Sequence, residues 1–227
     1  RWLKKLRPKG GHGEGRRMLS MMRNLGKIMK FIPGKMRDLH TYIVAHDYWL
    51  HASPENITNL MLLLIDRYVP GYEGSLDFAD PIHYPDAAIY HPDAAEPFET
   101  LEDYQSWRRK HGHKANAGVV GLLSLRTVIL SGNTDHLDAL IRSLEKQGVE
   151  VRAAYSAGLD FRPAIEQFYV DEAGKADVDL LLNGAGFSLV GGMAESRPDE
   201  ARETLEAMDV GYLDMIPLAF QKVEEWQ

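Results

Sequence analysis

Apolar residues recur at helical spacing through the first third of the chain. Met18, Met22, Leu25, Met29 and Ile32 alternate intervals of four and three, which predicts one apolar stripe on a basic amphipathic helix stopped by Pro33 and Gly34. A second helix is expected from about Lys35 to His51, with Leu39, Ile43, His46 and Leu50 on one side. Ser53, Pro54 and Glu55 then read as N-cap, first-turn proline and early acid of a third helix, whose inward face is Ile57, Leu60, Met61, Leu64 and Ile65.

From Pro70 to Pro97 the helical period disappears and prolines, aspartates and aromatics take over, as in "DPIHYPDAAIYHPD". Each proline fixes its own φ and biases its predecessor away from helix, so this segment is expected to be extended and to lie over a surface. Thr100, with Asp103 three residues on, caps a short helix to about Lys110.

A different pattern starts at Gly118. "VVGLLSL", "VEVRAAY", "VDLLLNG" and "GYLDMI" are apolar runs of strand length, separated by helices over Thr134–Gln147, Phe161–Val170 and Pro198–Met208. Alternating strand and helix implies parallel strands covered on both faces. The fold class is therefore α/β: a helical N-terminal region followed by an open parallel sheet of at least four strands, flavodoxin- or Rossmann-like and expected to be incomplete. The organisation is a helical region with a basic arm over 1–69, a Pro/Asp-rich connection over 70–117 and the sheet domain over 118–227.

In such a sheet, ligands sit beyond the carboxyl ends of the strands. Gly158, Gly186, Gly191 and Gly192 fall in loops at that rim. The stretch "LLNGAGFSLVGG" does not match a dinucleotide loop, because Leu189 stands where the third glycine of G-x-G-x-x-G belongs. Phe187, Leu189 and small residues suit a flat apolar partner or close packing of the next segment.

Composition narrows the chemistry further. The 227 residues contain no cysteine, so disulfides, thiolate metal sites and Cys nucleophiles are excluded. No apolar run approaches the roughly 20 residues of a membrane span. The chain starts with neither Met nor a signal-peptide apolar core, and is expected to be cut from a longer polypeptide. Residues 1–37 hold twelve Lys and Arg against Glu14 alone, leaving fourteen bases against thirty-two acids for the remainder. The basic end reads as a solvated arm, a surface for another part of a parent chain, or a peripheral membrane contact; no nucleic-acid motif accompanies it.

No metalloprotease motif, P-loop or G-x-S-x-G elbow occurs. A metal site would need two of the nine histidines and a carboxylate brought together by the fold. His46 and His51 are poorly spaced to share a helix face, and Asp86, Asp93 and Asp160 are equally well explained by turns and caps. No metal ligand and no catalytic residue is assigned.

Several stretches together resemble the large, porphyrin-binding (H) subunit of magnesium chelatase. They run from "KIMKFIPGKMRDLHTYIVAHDYWLHASPENITNLMLLLIDRY" through "YPDAAIYHPD" and "VVGLLSLRTVILSGNTDHLDALIRSLEKQGVEVRAAYSAGLDFRPAIEQFYVD" to "GFSLVGG" and "FQKVEEW". The cobalt-chelatase large subunit is similar more distantly and remains the alternative. The resemblance implies a parent that binds protoporphyrin IX and Mg²⁺ and inserts the metal while partner subunits of the AAA+ kind, types I and D, hydrolyse ATP. It implies a bacterial cytoplasmic or plastid stromal setting. It also implies an internal fragment lying upstream of the residues proposed for metal insertion, one that is non-catalytic or serves to dock the ATPase subunits. Tyr90, His91, Arg126 and Phe187 are the expected porphyrin contacts, with Arg126 facing a propionate. Ala185 departs from the family, where a Thr is expected.

Overall fold

In the computed structural model, which describes residues 35–113, 117–192, 196–216 and 222–226, the chain divides into two units, 1–83 and 84–227. The basic helix expected around Met18 to Ile32 lies outside the described residues.

The first unit pairs α1 (Lys35–Leu50) with α2 (Pro54–Tyr68). Ser53 caps α2 as its position predicts, its Oγ accepting the Asn56 N–H at 3.2 Å. Tyr48, Leu60 and Leu63 form the apolar centre, with Val44, Ala45, Ile57, Leu64 and Phe78 around them. α1 packs on this centre through Val44, Ala45 and Tyr48; of the expected Leu39, Ile43, His46 and Leu50, the first three are half-buried outside that cluster and Leu50 is exposed. Met61, expected inside, is 55% exposed.

The reason lies in α2, whose buried positions include Asn56, Asn59 and Asp66. An extended segment crosses this face without a strand partner, so its N–H groups need acceptors. Leu76 N–H donates to Asp66 Oδ1 at 3.1 Å, Ala79 N–H to Asn59 Oδ1 at 3.0 Å and Ile82 N–H to Asn56 Oδ1 at 2.9 Å. Polar side chains one turn and two turns apart on the helix meet every third residue of the segment. Tyr48 adds a hydroxyl bond to the Ala79 carbonyl.

The second unit is a sheet of five strands: β1 (Ala87–Tyr90), β2 (Val119–Leu125), β3 (Glu150–Ser156), β4 (Leu180–Asn183) and β5 (Gly211–Asp214), ordered β1-β3-β2-β4-β5. Between them lie α3 (Leu101–Lys110), α4 (Arg126–Leu130), α5 (Asp135–Lys146), α6 (Arg162–Phe168) and α7 (Pro198–Met208), and α8 (Val223–Trp226) comes after β5. Four strands are parallel, as the alternating pattern predicts. The fifth, β1, pairs antiparallel with β3, Ala87 opposite Ser156 and Tyr90 opposite Ala153. The residue pattern predicts only an extended arm here. Six proline-free residues between Pro85 and Pro92 are long enough for one four-residue edge strand, the position where flanking prolines are tolerated.

Side-chain alternation divides the interior into two layers. Leu122, Val151, Ala153 and Leu182 face Leu137 and Ile141 of α5. Leu123, Ala154 and Leu181 face Ala164, Ile165 and Phe168 of α6 and Ala201 and Met208 of α7. Gly121 is required on that second face, because a Cβ there would sit 2.9 Å from the Tyr169 ring. The Tyr169 hydroxyl lies 2.9 Å from the carbonyls of Leu122 and Arg152 and accepts the Ala154 N–H at 3.2 Å. The chain leaves β2 toward β3 on one side and returns past it to β4 on the other, which puts the topological switch between β2 and β4.

Candidate functional site

The carboxyl ends of β2, β3 and β4 are neighbours, so Arg126, Gly158 and the loop from Gly184 to Gly192 share one rim of the sheet. At the switch, Gly184 N–H donates to the Leu123 carbonyl at 2.9 Å, and a Cβ on Gly184 would lie 2.9 Å from that oxygen. Asn183, fully buried, shapes the turn that leaves β4. Its Nδ2 donates to the Phe187 carbonyl at 2.7 Å and to Tyr212 Oη at 3.1 Å, while its Oδ1 accepts the Ala185 N–H at 3.1 Å.

The loops after β3 and β4 are fastened to each other. Phe161 N–H donates to the Leu189 carbonyl at 3.2 Å, and Gly191 N–H donates to that of Leu159 at 2.7 Å. Gly186 (φ 76°) and Gly191 (φ 80°) adopt left-handed backbone that suits glycine. A Cβ on Gly192 would come 2.5 Å from Leu159 Cδ1, whereas one on Gly158 would make only an ordinary contact, 4.0 Å from the Asp160 backbone nitrogen. Phe187, half-buried, sets its ring 6.2 Å from that of Phe161. Asp160 is a structural acid: it accepts the Arg162 N–H at 3.1 Å and pairs with the Arg162 guanidinium at 2.6 Å. Burial would raise its carboxyl pKa, but the hydrogen bonds from Arg162 bring it below the ordinary value.

Arg126 sits at the rim as expected, yet it is buried and its Nη1 donates to the Tyr84 and Pro85 carbonyls at 3.2 Å each, with Asp86 Oδ1 at 3.5 Å. Tyr155, from the same end of β3, is also buried, and its hydroxyl has no hydrogen-bond partner among the described residues. Desolvation pushes its pKa up. A buried orphan hydroxyl requires an explanation, and this one stands on the strand opposite Ser124, two residues before Arg126.

Tyr90 and His91 do not join this rim. Because β1 runs against β3, they lead toward the opposite end of the parallel strands. Tyr90 Oη donates to Asp138 Oδ1 at 2.7 Å. His91, 1% exposed, packs its ring 4.6 Å from that of Trp107 and 5.1 Å from that of His113. Its Nδ1 accepts the Asp93 N–H at 3.1 Å, so Nε2 carries the proton and donates to Glu145 Oε2 at 3.1 Å. Arg108 pairs with the same carboxylate. Burial raises the Glu145 pKa, but His91 and Arg108 together lower it further than burial lifts it. Burial also lowers the pKa of His113.

Two clusters among the described residues bring two histidines and an aspartate within 4.8 Å of one another: Asp47, His51 and His83 in the first unit, and His91, Asp93 and His113 in the second. Sequence reasoning compares His46 with His51 and passes over Asp47 and His51, which are four apart. It misses Asn183 and Tyr155 too; a carboxamide directly before glycine at a strand end is the available signal for the first.

A family model described as CobN/Magnesium Chelatase matches residues 46–227. The chain belongs to the CobN/magnesium chelatase family. A second model, described as a domain of unknown function (DUF3479), matches residues 1–43. Among its relatives in the family, the chain is 42% identical to the magnesium-chelatase H subunit of Rhodobacter capsulatus over 99% of its own length and 18% of that protein's. It is 35% identical to the chloroplastic magnesium-chelatase subunit ChlH of Oryza sativa subsp. indica over 97% of its length and 16% of that protein's. The chain thus spans less than a fifth of these family members. The catalytic subunit of cobaltochelatase from Mycobacterium tuberculosis is similar in structure at a TM-score of 0.45 and 21% identity, over 79% of this chain and 14% of that one.

Proposed function

We propose that this chain is a stretch of a magnesium-chelatase large subunit and contributes an apolar wall to the tetrapyrrole site of its parent. The observation that carries this reading is the 42% identity to a magnesium-chelatase H subunit across 99% of the chain. The rim supports it: Phe187 and the glycine loops stand at the switch point where open α/β sheets take ligands. In this reading the parent takes protoporphyrin IX and Mg²⁺ as substrates and forms nitrogen–metal bonds for chlorophyll or bacteriochlorophyll synthesis. Partner AAA+ subunits of types I and D hydrolyse the ATP, in a bacterial cytoplasm or a plastid stroma.

Insertion requires two pyrrole protons to pass to bases and a tightly hydrated cation to exchange water for other donors, so the site needs carboxylates or imidazoles beside an apolar slot that holds the ring. In this reading the described residues contribute the wall of that slot, and the bases come from elsewhere in the parent. Arg126 holds the segment 84–86 against the rim, and Tyr155, from the same end of β3, lies buried behind it. Tyr90 and His91 pack β1 and α3 onto α5 and stand outside the contact.

Titrating the 227-residue chain with a water-soluble deuteroporphyrin, followed by Soret absorbance, tests the reading. A saturable shift is expected, weakened about tenfold by Phe187→Ala, which corresponds to about 1.4 kcal/mol of lost contact. No shift at high micromolar porphyrin overturns the role of the rim.

A further inference from the structure

We propose that Asp47, His51 and His83 form a binding site for a transition-metal dication, with Zn²⁺ the best-fitting ion. Two imidazoles and one carboxylate are a donor set of the borderline class that Zn²⁺ and its neighbours take, with positions left for water. Asp47 and His51 are one helical turn apart at the end of α1, and the His51 N–H to Asp47 carbonyl bond of 3.3 Å keeps that turn closed. His83 Nε2 lies 2.9 Å from Asp47 Oδ2, and its ring stands edge-on to that of His51 with centroids 4.9 Å apart. The ligand atoms of all three lie within 4.8 Å of one another. A tetrahedral site with bonds of about 2.0–2.2 Å needs separations of roughly 3.3 Å, so small side-chain rotations close the set.

What makes this a built arrangement is Asn56. Its buried carboxamide donates to the His51 carbonyl at 2.7 Å and to the Ile82 carbonyl at 2.8 Å, and accepts the Ile82 N–H at 2.9 Å. One side chain therefore fixes the backbone of the first histidine and that of the residue before the second, 31 positions later in the chain. Fixing ligand-bearing backbone in this way reduces the ordering cost of binding.

The other cluster lacks this readiness. Both ring nitrogens of His91 are engaged, by Asp93 N–H and Glu145. Asp93 holds Arg142 through two hydrogen bonds of 2.7 and 3.1 Å, and the Arg108 guanidinium on Glu145 would repel a dication. The proposal is independent of the tetrapyrrole reading, since all its residues lie in the first unit.

The test is to strip the chain with a chelator and titrate it with Co²⁺, following the visible d–d bands, then to displace Co²⁺ with Zn²⁺. One equivalent of Co²⁺ is expected, displaced by Zn²⁺, with Zn²⁺ also raising the thermal midpoint. Asp47→Asn, His51→Gln and His83→Gln should each weaken binding about tenfold or more while far-UV circular dichroism stays unchanged, and His113→Ala should bind as the parent chain does. Absence of saturable binding, equal affinity in the three folded variants, or loss of binding in His113→Ala would each overturn the proposal. A variant that loses its helical signal is replaced by the alanine variant at the same position, read by the same criterion.

Discussion

Between α1 and α2 of the first unit, apolar packing is confined to a small cluster around Tyr48, Leu60 and Leu63, and three polar side chains of α2 line the rest of the buried face. The second unit instead closes two apolar layers over its sheet, with Leu122, Leu123, Leu181, Ile141 and Phe168 fully or almost fully buried. The difference teaches what each region depends on. A sheet satisfies its own backbone through the ladder, so its side chains are free to be apolar. A segment without a strand partner must borrow acceptors, so the helix beneath it gives up apolar positions to Asn and Asp.

Leu181→Ala would sharpen that contrast most. It removes a fully buried side chain between two strands and is expected to cost about 3 kcal/mol, read as lost hydrogen-exchange protection in β2 and β4. Unchanged protection there would break the claim that the second unit rests on apolar burial. In the first unit the test is reversed. Asn56→Leu makes the helix more apolar yet leaves the Ile82 N–H and the carbonyls of His51 and Ile82 unpaired, for an expected loss of about 2 kcal/mol in the stability of the α1–α2 pair. Met61→Ala, which trims an apolar but exposed side chain of the same helix, should move stability by less than about 0.5 kcal/mol. Were the two variants to rank the other way, the polar ladder would be incidental.

Acid should produce the smallest of these effects. Glu145, Asp160 and His113 all have folded pKa values below their ordinary ones. In each case the unfolded chain takes up the proton first, so the stabilisation is complete above the unfolded pKa and is lost as pH falls through the folded one. The second unit is expected to weaken slightly below about pH 6.5, where unfolded histidine titrates, and further below about pH 4, where unfolded carboxylates do. Urea midpoints read from the Trp107 environment across that range check it; a midpoint that rises on acidification would reverse the sign.

Much of the second unit is legible because its interior follows a period. The four parallel strands announce themselves as apolar runs, and Pro198 and Met208 bound α7 where the pattern places them. β1 is hidden because a four-residue strand flanked by prolines carries no period, and its antiparallel sense comes only from what it pairs with. In the first unit the same method fails at Met61 and Leu50, since it assumes that buried means apolar. The site is legible only as a place. Arg126 stands at the rim, but nothing in its neighbours foretells that the carbonyls of Tyr84 and Pro85, some forty residues earlier, occupy it. Asp47 and His51 are within reach of helical spacing; His83 needs the fold.

Because one buried carboxamide, that of Asn183, holds the main chain of residues 185 and 187 from beneath, the bend after β4 owes its form to nothing its outward side chains supply. Away from Gly184 and Gly186, mutation can therefore redecorate that bend without remoulding it.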